Sequence, residues 1–118
     1  MKFTLKKAFK FGWKGLNGFA YSSKEDFKNA SVAYFELTSY HGKVKTTLSD
    51  RIYYVIDGKG KFIIDGKKIS VEKGDVILVP KNTYYDYKTI TKVLKLFLVH
   101  IPAYDLKFEG KPYSSQEQ

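Results

Sequence analysis

The stretch RIYYVIDG at positions 51–58 decides the fold that this sequence predicts. Its β-branched and aromatic residues favour a strand, and the pair Asp57-Gly58 favours a tight turn at the end of that strand. Side chains alternate between the two faces of a strand, so Arg51, Tyr53 and Val55 are predicted to share one face. Arg51 is the only arginine in the chain, which makes its place on that face the feature to explain.

Strand signals continue on both sides of this stretch. Strands are predicted at 31–38, 43–48, 51–57, 60–65, 67–71, 76–79, 84–88 and 93–101. Asp65-Gly66 is a strong hairpin signal, because a type I′ turn requires residues that accept positive φ. Short strands at even spacing predict an all-β sandwich or barrel. Residues 1–30 are predicted to be irregular and extended with at most a short strand, and Ser22-Ser23 is predicted to cap a brief helical turn.

Two spacings in the chain resemble the two signatures of the cupin family. The first signature reads G-x5-H-x-H-x(3,4)-E-x6-G, and Arg51 and Gly58 keep the spacing of its Glu and last Gly. The second reads G-x5-P-x-G-x2-H-x3-N, and Gly74 and Pro80 keep its first spacing, with Asn82 in place of the next Gly. The resemblance implies an all-β, antiparallel cupin jelly-roll barrel, also called a double-stranded β-helix.

The residues that hold a metal in the family are replaced in this chain. Arg51 stands at the Glu position and Tyr85 at the third His position. The first two His positions fall on one of two pairs, which are Val44 with Thr46 or Lys45 with Thr47. The resemblance therefore implies a barrel with neither a metal nor another cofactor.

The two histidines offer little for rebuilding a metal site. Such a site requires both of them and a carboxylate in one geometry. His41 is expected to be exposed in a turn beside Gly42. His100 lies near the end of a strand, and it is expected to be a packed residue whose strand face, shared with Leu94, Leu96 and Leu98, points inward.

Arg51 admits two interpretations, because a guanidinium inside a small barrel is costly unless it is paired. In the first, Arg51 anchors a carboxylate, phosphate or sugar hydroxyl of a ligand. In the second, it pairs with an internal acid such as Glu36 or Asp86, or stacks on a tyrosine. The ligand-binding residues predicted for the first interpretation are Arg51, Tyr53, Thr46, Thr47, Tyr85 and Tyr87.

Three functions remain open at this level. The first is binding of a small polar or anionic ligand, sugar-like or a carboxylate, in a metal-free lumen. The second is a metal-independent sugar isomerase or epimerase, with Tyr85, Tyr53 and His100 as candidate catalytic residues. The third is a structural or interaction module, which a lumen filled by Phe62, Tyr53, Leu96 and Leu98 would indicate.

Bulk properties limit the partners and the compartment. The formal charge is +9, but 20 of the 21 basic residues are lysines, whereas nucleic-acid readers depend on arginine; nucleic-acid binding is not favoured. Without cysteine and without a long apolar run, we expect a cytoplasmic chain with no disulfide and no membrane span.

The predicted domain plan has three parts. An N-terminal arm at 1–30 packs on the barrel or across a homodimer, as the resemblance implies for small cupins. A cupin barrel follows at 31–108, and 109–118 form a flexible tail.

Overall fold

The computed structural model describes residues 1–105. A short 3₁₀ helix at Leu5–Lys7 precedes ten strands. The strands are β1 Phe9–Trp13, β2 Leu16–Ala20, β3 Ser31–Leu37, β4 Val44–Thr46, β5 Asp50–Asp57, β6 Lys59–Ile64, β7 Lys67–Glu72, β8 Val76–Val79, β9 Thr83–Thr89 and β10 Leu94–Ile101.

The strands form two antiparallel sheets, as in a jelly roll. One sheet has six strands in the order β1-β2-β3-β10-β5-β8, and the other has four in the order β4-β9-β6-β7. The predicted all-β, antiparallel cupin jelly roll is confirmed, and its two sheets are not closed into a barrel, because no strand within residues 1–105 belongs to both. The predicted tail at 109–118 lies outside the described residues, and the predicted homodimer stays a prediction.

The predicted strands from β3 to β10 are all present, and their faces follow the sequence alternation. Burial alternates residue by residue along β3 and β10, because one face of each strand points between the sheets. The predicted turn residues Asp65 and Asn82 have φ of 48° and 64°, in the left-handed region that Asp and Asn tolerate.

The N-terminal segment differs from its prediction. Residues 9–20 form a β-hairpin, and β2 pairs with β3, which extends the large sheet by two strands. Ser23 accepts a hydrogen bond from the Glu25 amide at 3.2 Å, within the brief turn that was predicted there. No helix in the described part of the chain is long and apolar enough to cross a membrane.

The core lies between the sheets and includes inward-facing residues of β5 and β10. Its fully buried side chains include Leu37, Tyr53, Val55, Phe62, Leu94, Leu96 and Leu98. Each buried aliphatic or aromatic side chain of this kind contributes roughly 1.5–3 kcal/mol. The four residues whose packing would indicate a filled lumen, Phe62, Tyr53, Leu96 and Leu98, are all fully buried in this core.

Candidate functional site

Beside this filled core, a cavity of about 790 Å³ lies between the N-terminal hairpin and the inner faces of the sheets. Much of its wall is aromatic, with Phe9, Phe11, Trp13, Tyr21 and Tyr104. Its buried polar residues are Ser22, Ser31, His41, Arg51, Tyr85 and His100. The space between the sheets therefore contains both a packed core and an open cavity.

Three of the four positions that bind metal in cupins line this cavity, and they are Val44, Arg51 and Tyr85. Val44 and Thr46 are buried on β4, and Val44 pairs with Tyr85 of β9. The guanidinium carbon of Arg51 lies 5.6 Å from the ring centroid of Tyr85. Of the two registers predicted for the missing histidines, the structure selects Val44 with Thr46.

Thr46 and Thr47 have different positions. Thr46 is fully buried, and its hydroxyl donates to the Ser49 carbonyl at 3.3 Å. Thr47 is exposed and follows the end of β4. Thr47 was predicted as a ligand-binding residue, but its exposed position places it away from the cavity.

This set of residues does not fit a metal ion. No group of three or more His, Cys, Asp or Glu suited to a metal occurs within residues 1–105. The family's Glu position carries the permanent positive charge of Arg51, and the Nη1 atom of Arg51 already holds the Nε2 atom of His100. A divalent cation would meet a guanidinium where it needs a carboxylate.

Arg51 and His100 face each other on neighbouring strands. They are cross-strand partners in β5 and β10, and Arg51 Nη1 donates to His100 Nε2 at 2.8 Å. Because a guanidinium has no acceptor, His100 Nε2 must carry the lone pair and Nδ1 the proton. Nδ1 then lies 3.5 Å from the Ser31 hydroxyl oxygen. Burial, together with the Arg51 charge, holds the pKa of His100 well below its usual value.

The two acids predicted as partners of Arg51 make other contacts. Glu36 accepts a hydrogen bond from the Tyr34 hydroxyl at 2.9 Å. Asp86 accepts from the backbone amides of Gly42 and Tyr87 at 2.8 and 2.7 Å. The predicted stacking on a tyrosine is present, with Tyr85.

His41 is the residue that the sequence prediction placed wrongly. It was expected to be exposed, but it is 5% exposed and lines the cavity. Its amide donates to the Tyr87 carbonyl at 2.7 Å, and its ring stacks on that of Tyr87 with centroids 4.5 Å apart. Pairing with β9, which the sequence of the turn does not reveal, pulls the histidine inward.

The imidazole of His41 is neutral and has a defined tautomer. Its Nδ1 atom lies 2.7 Å from the Gly42 carbonyl, and because a carbonyl only accepts, Nδ1 carries the proton. Nε2 therefore holds the lone pair, and it accepts no hydrogen bond within residues 1–105. Burial, and to a lesser degree the Arg51 charge, lowers the pKa of His41 to about 3 against the weaker opposing effect of the Gly42 carbonyl.

Three buried tyrosines, Tyr53, Tyr85 and Tyr87, pack against one another next to His41. The Tyr53 hydroxyl donates to the Tyr85 hydroxyl at 3.3 Å. Tyr87 is stacked between His41 and Phe62, at 4.5 Å from each. Burial raises the pKa of Tyr87 well above its usual value, and the nearby Tyr53 and Tyr85 add to that shift. Tyr87 is therefore a neutral packing residue under His41.

The structure thus brings together most of the predicted site residues and adds some. Tyr85, Arg51 and His100 line the cavity, while Tyr53, Tyr87 and Thr46 are buried near it. His41 and the aromatic wall were missed. The only sequence signals for them were the glycine after His41 and the aromatic richness of the first 21 residues.

Comparison with known proteins identifies relatives by sequence. The model of the family described as ethanolamine utilisation protein EutQ matches residues 31–105. An uncharacterised protein of Methanocaldococcus jannaschii is 33% identical over 82 residues, which cover 69% of this chain and 63% of that protein. Acireductone dioxygenase of Gallus gallus is 35% identical over 78 residues, covering 53% and 43%. The chain spans less than two thirds of the length of the curated relatives it matches.

Solved structures share the fold. The nucleoside dehydratase Pac13 of Streptomyces superposes with a TM-score of 0.84 at 22% identity, over 98% of this chain and 96% of its own. KdgF from Halomonas sp. superposes with a TM-score of 0.77 at 14% identity, over 89% and 96%. These likenesses establish the cupin jelly-roll fold.

Proposed function

The chain belongs to the EutQ family of cupins, and from that premise we propose that it binds a small sugar-like molecule, with nucleosides as the best-matched class. The observation that carries the proposal is the two-sided cavity. One side offers aromatic faces, and the other offers the buried polar groups of His41, Arg51 and His100. A nucleoside has a planar ring for the first side and a polyol for the second.

The size of the cavity supports this class of ligand. Pockets for small molecules hold roughly 300–1,000 Å³, and the cavity has about 790 Å³. Planar rings stack well on exposed aromatic side chains such as Phe9, and they gain roughly 0.5–1.5 kcal/mol beyond the buried area. Hydroxyls of a sugar suit the neutral acceptor His41 Nε2 and the donors of Arg51.

One structural neighbour has a ligand of this class. Pac13 is described as a nucleoside dehydratase, and three of its variants, with a histidine or a tyrosine replaced, were solved with uridine. At 22% identity this neighbour supports the choice of nucleosides as the first ligands to test.

The test is calorimetric titration and thermal unfolding with uridine, other nucleosides, free ribose and small carboxylates. A nucleoside at 100 times its Kd is expected to add about 2.7 kcal/mol to the free energy of unfolding. Arg51→Met should weaken binding at least ten-fold, because a charge-assisted hydrogen bond is lost. Lys45→Met, which removes a cation from the outward side of β4, is the matched control. No binding by any nucleoside, or equal binding by Arg51→Met, would refute the proposal.

A second function is favoured by the tautomer of His41. A buried imidazole whose lone pair is free within the described residues is suited to accept a proton from a bound sugar derivative. Tyr85, Tyr53 and His100 are less suited. The Tyr53 hydroxyl donates a hydrogen bond to the Tyr85 hydroxyl, and His100 Nε2 accepts one from Arg51. This extends the isomerase or epimerase alternative, with His41 as the proton acceptor.

Deuterium exchange tests the second function. Keto or aldehyde derivatives of sugars and nucleosides are incubated with the protein in D₂O, and NMR follows exchange of the proton next to the carbonyl. We expect exchange that His41→Gln reduces by about 10²–10⁴-fold and that a chelator leaves unchanged. Ligand binding without any proton exchange would contradict the second function and support only the first.

A further inference from the structure

We propose that Asp86 and Trp13 are positioning residues that hold the 41–42 peptide, and through Gly42 fix His41 in the tautomer that presents Nε2 to the cavity. This proposal rests on the proposed function for its purpose, but its geometry stands without a ligand. Neither Asp86 nor Trp13 provides the proton acceptor itself.

The peptide unit between His41 and Gly42 is held by a hydrogen bond at its carbonyl and another at its N–H. Its carbonyl oxygen accepts a hydrogen bond from the Trp13 indole nitrogen at 3.2 Å. Its N–H, on Gly42, donates to Asp86 Oδ1 at 2.8 Å. A peptide plane held from opposite sides by an indole and a carboxylate has no freedom to rotate.

The backbone conformation of Gly42 links this fixed peptide plane to the tautomer of His41. Its φ is 101°, a region that side chains other than glycine rarely enter. This turn brings the next carbonyl, that of Gly42 itself, back to within 2.7 Å of His41 Nδ1. A carbonyl in this place selects the Nδ1-protonated form and leaves the lone pair on Nε2.

In this arrangement the histidine is oriented indirectly, without a carboxylate in contact with its ring. In a catalytic triad a carboxylate contacts the histidine directly. Here the carboxylate of Asp86 contacts the backbone one residue later, and the backbone carbonyl contacts the ring. A carboxylate in direct contact raises the basicity of an imidazole more than a carbonyl does. The indirect contact through Gly42 therefore orients His41 while leaving it neutral.

The charged and titratable groups around His41 fit this assignment. Arg51 faces it from β5, and Tyr85 and Tyr87 face it from β9 with ring centroids at 5.9 and 4.5 Å. Trp13 and Phe35, which pack on its other sides, do not titrate. Asp86 contacts the backbone next to the histidine, where its carboxylate accepts from the Gly42 amide.

Nitrogen-15 NMR of the imidazole tests the proposal without any ligand. The chain has two histidines, so a His100→Gln background assigns His41. Wild type at pH 7 should show a protonated Nδ1 and a bare Nε2. Asp86→Asn keeps an oxygen acceptor and should preserve this spectrum, whereas Asp86→Ala and Gly42→Ala should populate the other tautomer.

Two further variants complete the design. Trp13→Phe removes the indole donor while keeping a smaller aromatic ring at this position, and it serves if Asp86→Ala does not fold. Asp75→Ala is the matched control, because Asp75 also accepts from a backbone amide, that of Glu72 at 2.8 Å, in a turn that does not contact His41. An unchanged His41 spectrum in Asp86→Ala, Gly42→Ala and Trp13→Phe would overturn the proposal.

The outcome separates this proposal from the proposed function. If the variants alter the His41 tautomer but the wild type binds no nucleoside, the positioning role of Asp86 and Trp13 is supported and the proposed function is refuted. If wild type exchanges substrate protons, Asp86→Ala should slow exchange roughly ten- to a hundred-fold, the cost of misplacing a catalytic group by about 1 Å, and Asp86→Asn should not. Exchange that needs His41 but is indifferent to Asp86→Ala would overturn the positioning role alone.

Discussion

Arg51 is tolerated inside the fold because its neighbours suit a cation that cannot lose its proton. His100 supplies a lone pair at 2.8 Å, and the Tyr85 ring supplies the negative face of its π-system. In return, the guanidinium makes protonation of His100 unfavourable. The same charge acts on His41. Burial and, second to it, the Arg51 charge thus keep both imidazoles neutral. His41 is the one whose Nε2 accepts no hydrogen bond within the described residues, whereas His100 Nε2 accepts from Arg51.

These two histidines predict how stability depends on pH. The unfolded chain protonates them near pH 6.5, while folded His41 resists protonation until about pH 3 and folded His100 is shifted in the same direction. The unfolded state therefore binds more protons between these values, and the free energy of unfolding, complete above pH 6.5, falls as the pH drops. The slope is about 1.4 kcal/mol per pH unit for each histidine.

Urea unfolding at pH 7, 6, 5 and 4 measures this slope. His41→Gln should reduce it by the contribution of one proton. Asp86, whose pKa is raised by burial, acts in the opposite direction below its own pKa and offsets part of the loss. A free energy of unfolding that stays constant from pH 6.5 to pH 5 would contradict the depressed pKa values of both histidines.

At the scale of strands, the sequence predicts what local patterns control. Period-two alternation places Arg51, Tyr53, Tyr85, Tyr87 and His100 on inward faces, and all five are buried. Glycine and Asn or Asp signals locate the turns. These features depend on each strand's own residues, so one sequence is sufficient to find them.

The hairpin β1–β2 and the place of His41 depend on distant contacts instead. Residues 9–20 form strands because β2 finds the free edge of β3, and no local pattern identifies that edge. His41 turns inward because its amide bonds Tyr87, far along the chain, and because Gly42 takes a positive φ. The predicted site therefore contained the strand residues and lacked the loop residue that completes it.

At the scale of the whole molecule, the space between the sheets is divided between a packed core and an open cavity. The side chains of Leu96, Leu98, Tyr53 and Phe62 are fully buried in the core. Towards the N-terminal hairpin it opens into the cavity, whose walls come from both ends of the described chain, from Phe3 to Tyr104. The space between the sheets is thus neither wholly filled nor wholly open, and the functional alternatives based on a filled and on an open lumen stay predictions.

This division predicts that stability and affinity respond to different substitutions. Leu96→Ala removes a fully buried side chain of the packed half and should lower the free energy of unfolding by about 2–5 kcal/mol, with little change in the Kd for a nucleoside. Phe9→Ser removes a ring that lines the cavity and is 71% exposed. It should alter stability by no more than about 0.5 kcal/mol but weaken binding several-fold, since an aromatic contact is worth about 0.5–1.5 kcal/mol. Urea unfolding and calorimetric titration of both variants provide the comparison. If Phe9→Ser costs as much stability as Leu96→Ala, the hairpin is part of the core and the lumen is not divided.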